Sequence, residues 1–150
     1  MKLDQIKQSI LNGAFDEKFS LLYSNIEEAH KRYIDACDEF GKLFGVDRDV
    51  ELFSAPGRTE VGGNHTDHQL GCVLAGSVDL DVIAIVSKTD NGIIRLKSAG
   101  YNMDTVDTAA LTPVEKEREK AVSLIRGVCA GMVENGYNVG GFDAYTTSNV

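Results

Sequence analysis

Apolar residues at the start of the chain recur at helical spacing. Leu3, Ile6 and Ile10 hold one phase, Phe15, Phe19 and Leu22 hold another, and Gly13 separates them, which predicts two short helices. A third helix is expected from Ser24, whose hydroxyl can cap while Glu27 reaches back. It runs through Ile26, Ala29, Tyr33, Cys37, Phe40 and Phe44 to a stop at Gly45. Residues 1–45 therefore read as a helical N-terminal segment.

From Val50 the period changes. Val50-Glu51-Leu52-Phe53-Ser54-Ala55 reads as a strand running into a turn at Pro56-Gly57. Val78, Leu80, Val82, Ala84 and Val86 alternate along a second strand and are expected to form its inner face, leaving Asp79 and Asp81 solvated on the outer one. Asp90-Asn91-Gly92 predicts a hairpin into the strand Ile93–Lys97. Thr112-Pro113-Val114-Glu115 combines a capping hydroxyl, a proline suited to the first helical position and an early acid, predicting a long helix to Asn135-Gly136. Its buried stripe is expected at Val122, Ile125, Val128 or Cys129, and Met132, with Glu115–Lys120 as its exposed first turns. Gly141–Val150 has the aromatic and β-branched content of a last strand. Helices, then largely antiparallel strands, then a helix and a strand give an α+β fold, with residues 46–150 as one unit and no internal repeat.

Composition narrows the functions. With 43% hydrophobic and 25% charged residues the chain has the makeup of a soluble globular domain. A net charge of -8 repels polyanions and argues against nucleic acid and anionic membrane surfaces as partners. No apolar run approaches the ~20 residues that span a bilayer, and the N-terminus has no secretory pattern, so a cytoplasmic location is expected. Cys37, Cys72 and Cys129 are odd in number and set among apolar residues, which suits reduced thiols.

The segment Ser54–Gly71 stands apart. It is rich in glycine, carries Arg58 and Glu60, and places Asn64, His65, Asp67 and His68 within five positions. Glycine lets backbone approach a ligand closely, and the polar cluster offers donors and acceptors that suit a polyhydroxylated molecule. A solvated polar connection has the same composition. A zinc site from His65, Asp67, His68 and Cys72 is disfavoured, because the spacing lacks the register of zinc motifs and no metal is expected.

Ala55-Pro56-Gly57-Arg58 followed by Gly63-Asn64-His65-Thr66-Asp67 resembles the galactokinase signature P-G-R-x-N-x-x-G-E-H-T-D-Y. The resemblance covers about residues 45–150 and implies the fold of the GHMP sugar kinases (ribosomal protein S5 domain 2-like). It implies phosphoryl transfer from ATP, with Mg2+, to the anomeric hydroxyl of galactose. By the same resemblance Arg58 is the catalytic residue that stabilises charge beside the reacting oxygen, and Asn64, His65, Thr66 and Asp67 contact the sugar. Asn64 stands where the pattern has glutamate, Glu60 where it has asparagine and His68 where it has tyrosine, which bears on the identity of the sugar. The family's phosphate loop, magnesium-holding side chains and catalytic aspartate would follow Val150. The chain is therefore expected to be an N-terminal portion, inactive alone and prone to self-association through an unpaired last strand. A non-catalytic sugar-binding relative is the alternative.

Overall fold

The computed structural model describes residues 1–63 and 70–150. Helix α1 spans Leu3–Leu11, α2 Asp16–Leu22 and α3 Ile26–Phe44. Gly13 makes the turn between the first two at φ +74°, a backbone region open to glycine. Helix α3 starts one residue later than its sequence suggests. Asn25 is the cap, its Oδ1 accepting from the Glu28 N–H at 3.2 Å, while the Ser24 hydroxyl donates to Asp79 Oδ2 at 2.7 Å. Gly45 ends the helix at φ +92°.

Leu3, Ile6 and Ile10 of α1 meet Ala29, Tyr33, Cys37 and Phe40 of α3, and this layer closes on Val50 and on Ile83 and Ile85 of the sheet in one core. Phe19 of α2 stacks on Tyr33 with ring centroids 4.9 Å apart. The helical segment and the sheet thus bury each other's apolar faces. Burial pushes the Cys37 thiol up to about 12, so it packs as an inert apolar group.

The sheet comprises β1 (Glu51–Gly62), β2 (Leu74–Thr89), β3 (Ile93–Ser98), β4 (Met103–Asp107) and β5 (Gly141–Ser148) in the order β1-β2-β5-β3-β4. Three pairings are antiparallel and β3–β5 is parallel, giving the mixed α+β architecture expected.

Four local expectations are corrected. First, β1 runs straight through Pro56-Gly57. It is an edge strand among the described residues, where a missing N–H costs no ladder bond, and the register shifts between Pro56 and Arg58 as a bulge. Second, β2 and β3 form no hairpin, because β5 lies between them. Asn91 Oδ1 accepts from the Ile93 N–H at 3.0 Å and Thr108 Oγ1 donates to the Gly92 carbonyl at 2.8 Å, so the turn closes on side chains instead of a two-strand ladder. Gly141 fits the resulting corner; a Cβ there would lie 2.6 Å from Thr89 Oγ1 and 2.7 Å from both N and O of Ile93. The last strand is therefore central, not an unpaired edge.

Third, the helix expected from Thr112 is interrupted. Glu115–Glu117 forms one 3-10 turn, Glu119 adopts φ +63°, and α4 runs only over Ala121–Glu134. Arg126 explains the break: its Nε and Nη2 each donate to Glu117 at 2.7 Å and its Nη1 donates to the Ala110 carbonyl, folding the acidic run back onto the side of α4. Val122 and Cys129 of α4 bury against Ile94 and Val106, while Val128 lies 64% exposed. Fourth, the face of β2 that meets the helices carries Asp81, Ile83, Ile85 and Ser87, the opposite phase from the one expected.

Candidate functional site

The bulge in β1 sets the geometry of the glycine-rich segment. Gly57 packs against the end of the sheet. A Cβ there would sit 3.1 Å from both Val150 methyl carbons and 3.2 Å from the Leu80 carbonyl oxygen, so glycine brings this backbone against the exit of β5. Arg58 follows opposite Ser77 on β2. Its guanidinium is solvent-facing, with Nη2 donating to Glu60 Oε1 at 3.2 Å. Glu60, which replaces the asparagine of the sequence pattern, is thus a charge partner of Arg58.

Beyond β1, Gly63 adopts φ +104°, and a Cβ on it would lie 2.6 Å from the Cys72 carbonyl oxygen and 2.8 Å from Val73 Cα. The two ends of the connection are pinched together there, close to the strand that carries Arg58. Asn64, His65, Thr66 and Asp67, with His68 and Gln69, lie outside the described residues.

Beneath the bulge lies a polar cluster that the sequence reading missed. Asp81, paired in register with Pro56, is 2% exposed. The Tyr23 hydroxyl and the Ser54 hydroxyl each donate to its Oδ2 at 2.5 Å, and Arg32 forms an ion pair with its Oδ1. Arg32 Nη2 also donates to the carbonyls of Asp81 at 2.8 Å and Thr147 at 3.2 Å. Tyr33 joins through its hydroxyl, 2.9 Å from that of Tyr23. The backbone of Asp81 is held as well. Its N–H donates to Asn149 Oδ1 at 2.8 Å, and the Asn149 N–H donates to its carbonyl at 3.2 Å.

Burial alone would push the Asp81 carboxyl upward, but the hydrogen bonds from Ser54, Tyr23 and Arg32, with the Arg32 charge, outweigh it and hold the group below the usual carboxylate range. Burial, reinforced by the hydrogen bond to Asp81, pushes the Tyr23 phenol up, so it stays a neutral donor. Asp81 looked solvated in sequence because both phases of β2 are apolar. Val82, Ala84 and Val86 compete with Ile83 and Ile85, and alternation alone does not choose between them.

A second buried carboxylate, Asp143 on β5, is clamped by Arg95 Nε at 2.6 Å and Arg48 Nη1 at 3.0 Å. A groove of about 780 Å³ runs between Leu111–Glu119 and α4, with no lining residue from the described part of the glycine-rich segment. It is therefore separate from Arg58. No helix of the described residues is long and apolar enough to cross a membrane.

Residues 38–88 match the family model for the galactokinase galactose-binding signature. The galactokinase of Dictyostelium discoideum is 28% identical over 130 residues, covering 80% of this chain and 26% of that protein. The galactokinase of Streptococcus thermophilus is 30% identical over 115 residues, covering 75% and 29% respectively. Among solved structures, Lactococcus lactis galactokinase complexed with galactose superposes with a TM-score of 0.66 at 21% identity, over 75% of this chain and 30% of that one, which establishes a shared fold. The chain spans under a third of the length of these relatives.

Proposed function

We propose that this chain, which is similar to galactokinases over under a third of their length, forms the sugar-recognition portion of an ATP-dependent sugar kinase. That enzyme would transfer the γ-phosphoryl group to the anomeric hydroxyl of galactose, in the cytoplasm. The observation that carries the reading is Arg58. A solvent-facing guanidinium sits on a glycine bulge beside the base of the connection that matches the galactose-binding signature.

Phosphoryl transfer through a loose transition state asks the protein for positioning and charge stabilisation rather than covalent chemistry. Asp67, with Asn64, His65 and Thr66, would orient the sugar by accepting from and donating to its hydroxyls. Arg58 would lie beside the reacting hydroxyl and stabilise the charge that builds on the oxygens in transfer. Its ion pair with Glu60 would hold the guanidinium along the strand until an anionic group competes for it. Magnesium-ATP supplies the phosphoryl group, and the side chains that would hold it belong to the further length of the family's proteins.

Asn64 and Glu60 favour one variation, a kinase for a close relative of galactose, since an amide at 64 both donates and accepts where a carboxylate only accepts. Titrating galactose and its N-acetylated and C6-altered analogues into the natural polypeptide that carries this chain, by calorimetry, tests the reading. Saturable binding that is lost in Asp67→Ala and kept in Arg58→Ala is expected. Absence of binding to every sugar on the panel would overturn it.

A further inference from the structure

The Asp81 cluster lies outside the segment that would touch sugar, yet it ties that segment to three other parts of the molecule. Its carboxylate takes donors from α2 (Tyr23, immediately after its last turn), α3 (Arg32) and β1 (Ser54), and its backbone takes both bonds of Asn149, one residue past β5. Ser54 lies four residues before Arg58 on the same strand. Asn149 precedes Val150, whose side chain is the wall against which Gly57 packs. The bulge presenting Arg58 is thus held from one side by Ser54 and from the other by Asn149 and Val150, and both holds converge on residue 81.

Full burial of a carboxylate is costly unless it is paired and hydrogen-bonded, and here each oxygen is engaged. An apolar residue at this position would carry less electrostatic cost. What it would not supply is direction: the hydroxyl of Ser54 and the guanidinium of Arg32 are aimed by the carboxylate. We propose that Asp81 is a positioning residue for the sugar site, its carboxylate fixing the Pro56–Arg58 bulge through Ser54, while the two Asn149 bonds to its backbone seat the same residue at the end of β5. It also gives the N-terminal helices a role in the site, because Arg32 and Tyr23 are tied to the strand of the bulge through the Asp81 carboxylate.

This inference rests on the proposed sugar-kinase reading, and its test separates the two. In the natural polypeptide carrying this chain, Ser54→Ala and Asp81→Asn are compared with Asp143→Asn, an equally buried carboxylate on the same face of the sheet that belongs to neither contact set. Sugar-dependent kcat and KM are measured below every variant's unfolding midpoint. Misaligning a transfer group costs on the order of tenfold to a hundredfold. The expected result is a fall of that size in kcat over KM for the sugar in Asp81→Asn, a smaller fall in the same parameter in Ser54→Ala, an unchanged KM for ATP in both, and no fall in Asp143→Asn. Equal losses in Asp81→Asn and Asp143→Asn, or none in Asp81→Asn, would overturn the positioning role. If the wild-type polypeptide transfers to no sugar, the kinase reading fails instead. The backbone amide signals of Gly57 and Arg58 in 15N-labelled protein then decide: movement of both on Ser54→Ala upholds the positioning role, and unmoved signals reject it.

Discussion

Gly141→Ala should be among the most damaging single-methyl additions to this chain. Gly141 opens β5 where that strand enters between β2 and β3, and an added Cβ would lie 2.6 Å from Thr89 Oγ1 and 2.7 Å from Ile93 N and O. The threonine hydroxyl can rotate away. The Ile93 backbone cannot, because its N–H is held by Asn91 at 3.0 Å and its strand is laddered to both β4 and β5. Overpacking against a rigid wall costs about 1–3 kcal/mol, and two backbone clashes place the cost in the upper half, about 2–3 kcal/mol. For a chain of this size that corresponds to a fall of about 4–12 °C in the thermal midpoint. Gly140→Ala is the internal control. Its Cβ would have no described atom within 4 Å, so the loss of unfolded-state freedom alone should leave it neutral or more stable by up to about 1 kcal/mol. Circular dichroism melts of both variants read the difference. A Gly141→Ala midpoint within about 1 °C of the parent would refute the insertion of β5 at that corner.

Three further outcomes follow from the same contacts. Asp143→Ala leaves Arg48 and Arg95 facing each other without the carboxylate. Because both guanidinia keep some access to water, the loss should be about 2–3 kcal/mol, below the full cost of breaking a buried pair, and urea unfolding measures it. Asp81 has a folded-state affinity for protons below that of the unfolded chain, so its contribution is complete above the ordinary carboxylate value near ~4 and is withdrawn as pH falls through the lower folded value. The stability gap between wild type and Asp81→Asn should therefore narrow on acidification below that point, and a gap that stays constant in acid would contradict the assignment. Glu117→Gln should release the 115–120 run from Arg126 and speed tryptic cleavage at Arg118 and Lys120, with an unchanged digestion rate counting against the fold-back.

The fold class was legible because the N-terminal period is unambiguous. Leu3, Ile6 and Ile10, and the stripe from Ala29 to Phe40, can bury only as helices, and Gly13 and Gly45 mark real breaks at positive φ. Strand order was not legible. Asp90-Asn91-Gly92 is good hairpin chemistry, and nothing local to it reveals that a strand some fifty residues later in the chain inserts beside it. Long-range pairing is a property of Gly141's missing side chain, which is silent in sequence until the corner it fills is known. The break before α4 was hidden likewise, because the Arg126–Glu117 fork overrides strong local capping signals at Thr112-Pro113.

Of the site, the motif residues were visible and their support was not. Arg58 stood out by its glycine and proline neighbours, whereas Asp81 was obscured by a strand apolar in both phases. The signal that could have found it is the pairing of opposite oddities. One carboxylate in an apolar strand and one arginine, Arg32, next to Tyr33 on the buried stripe of a helix each need a partner.

The function proposed for this chain is recognition of galactose or a near relative for phosphoryl transfer. Its most direct test is a coupled assay of the natural polypeptide carrying the chain, with magnesium-ATP and a panel of sugars. Phosphorylation at the anomeric oxygen of galactose or a close analogue, abolished in Arg58→Ala while sugar binding persists, is the predicted result. Sugar binding without transfer to any member of the panel would contradict it and leave a sugar sensor in its place.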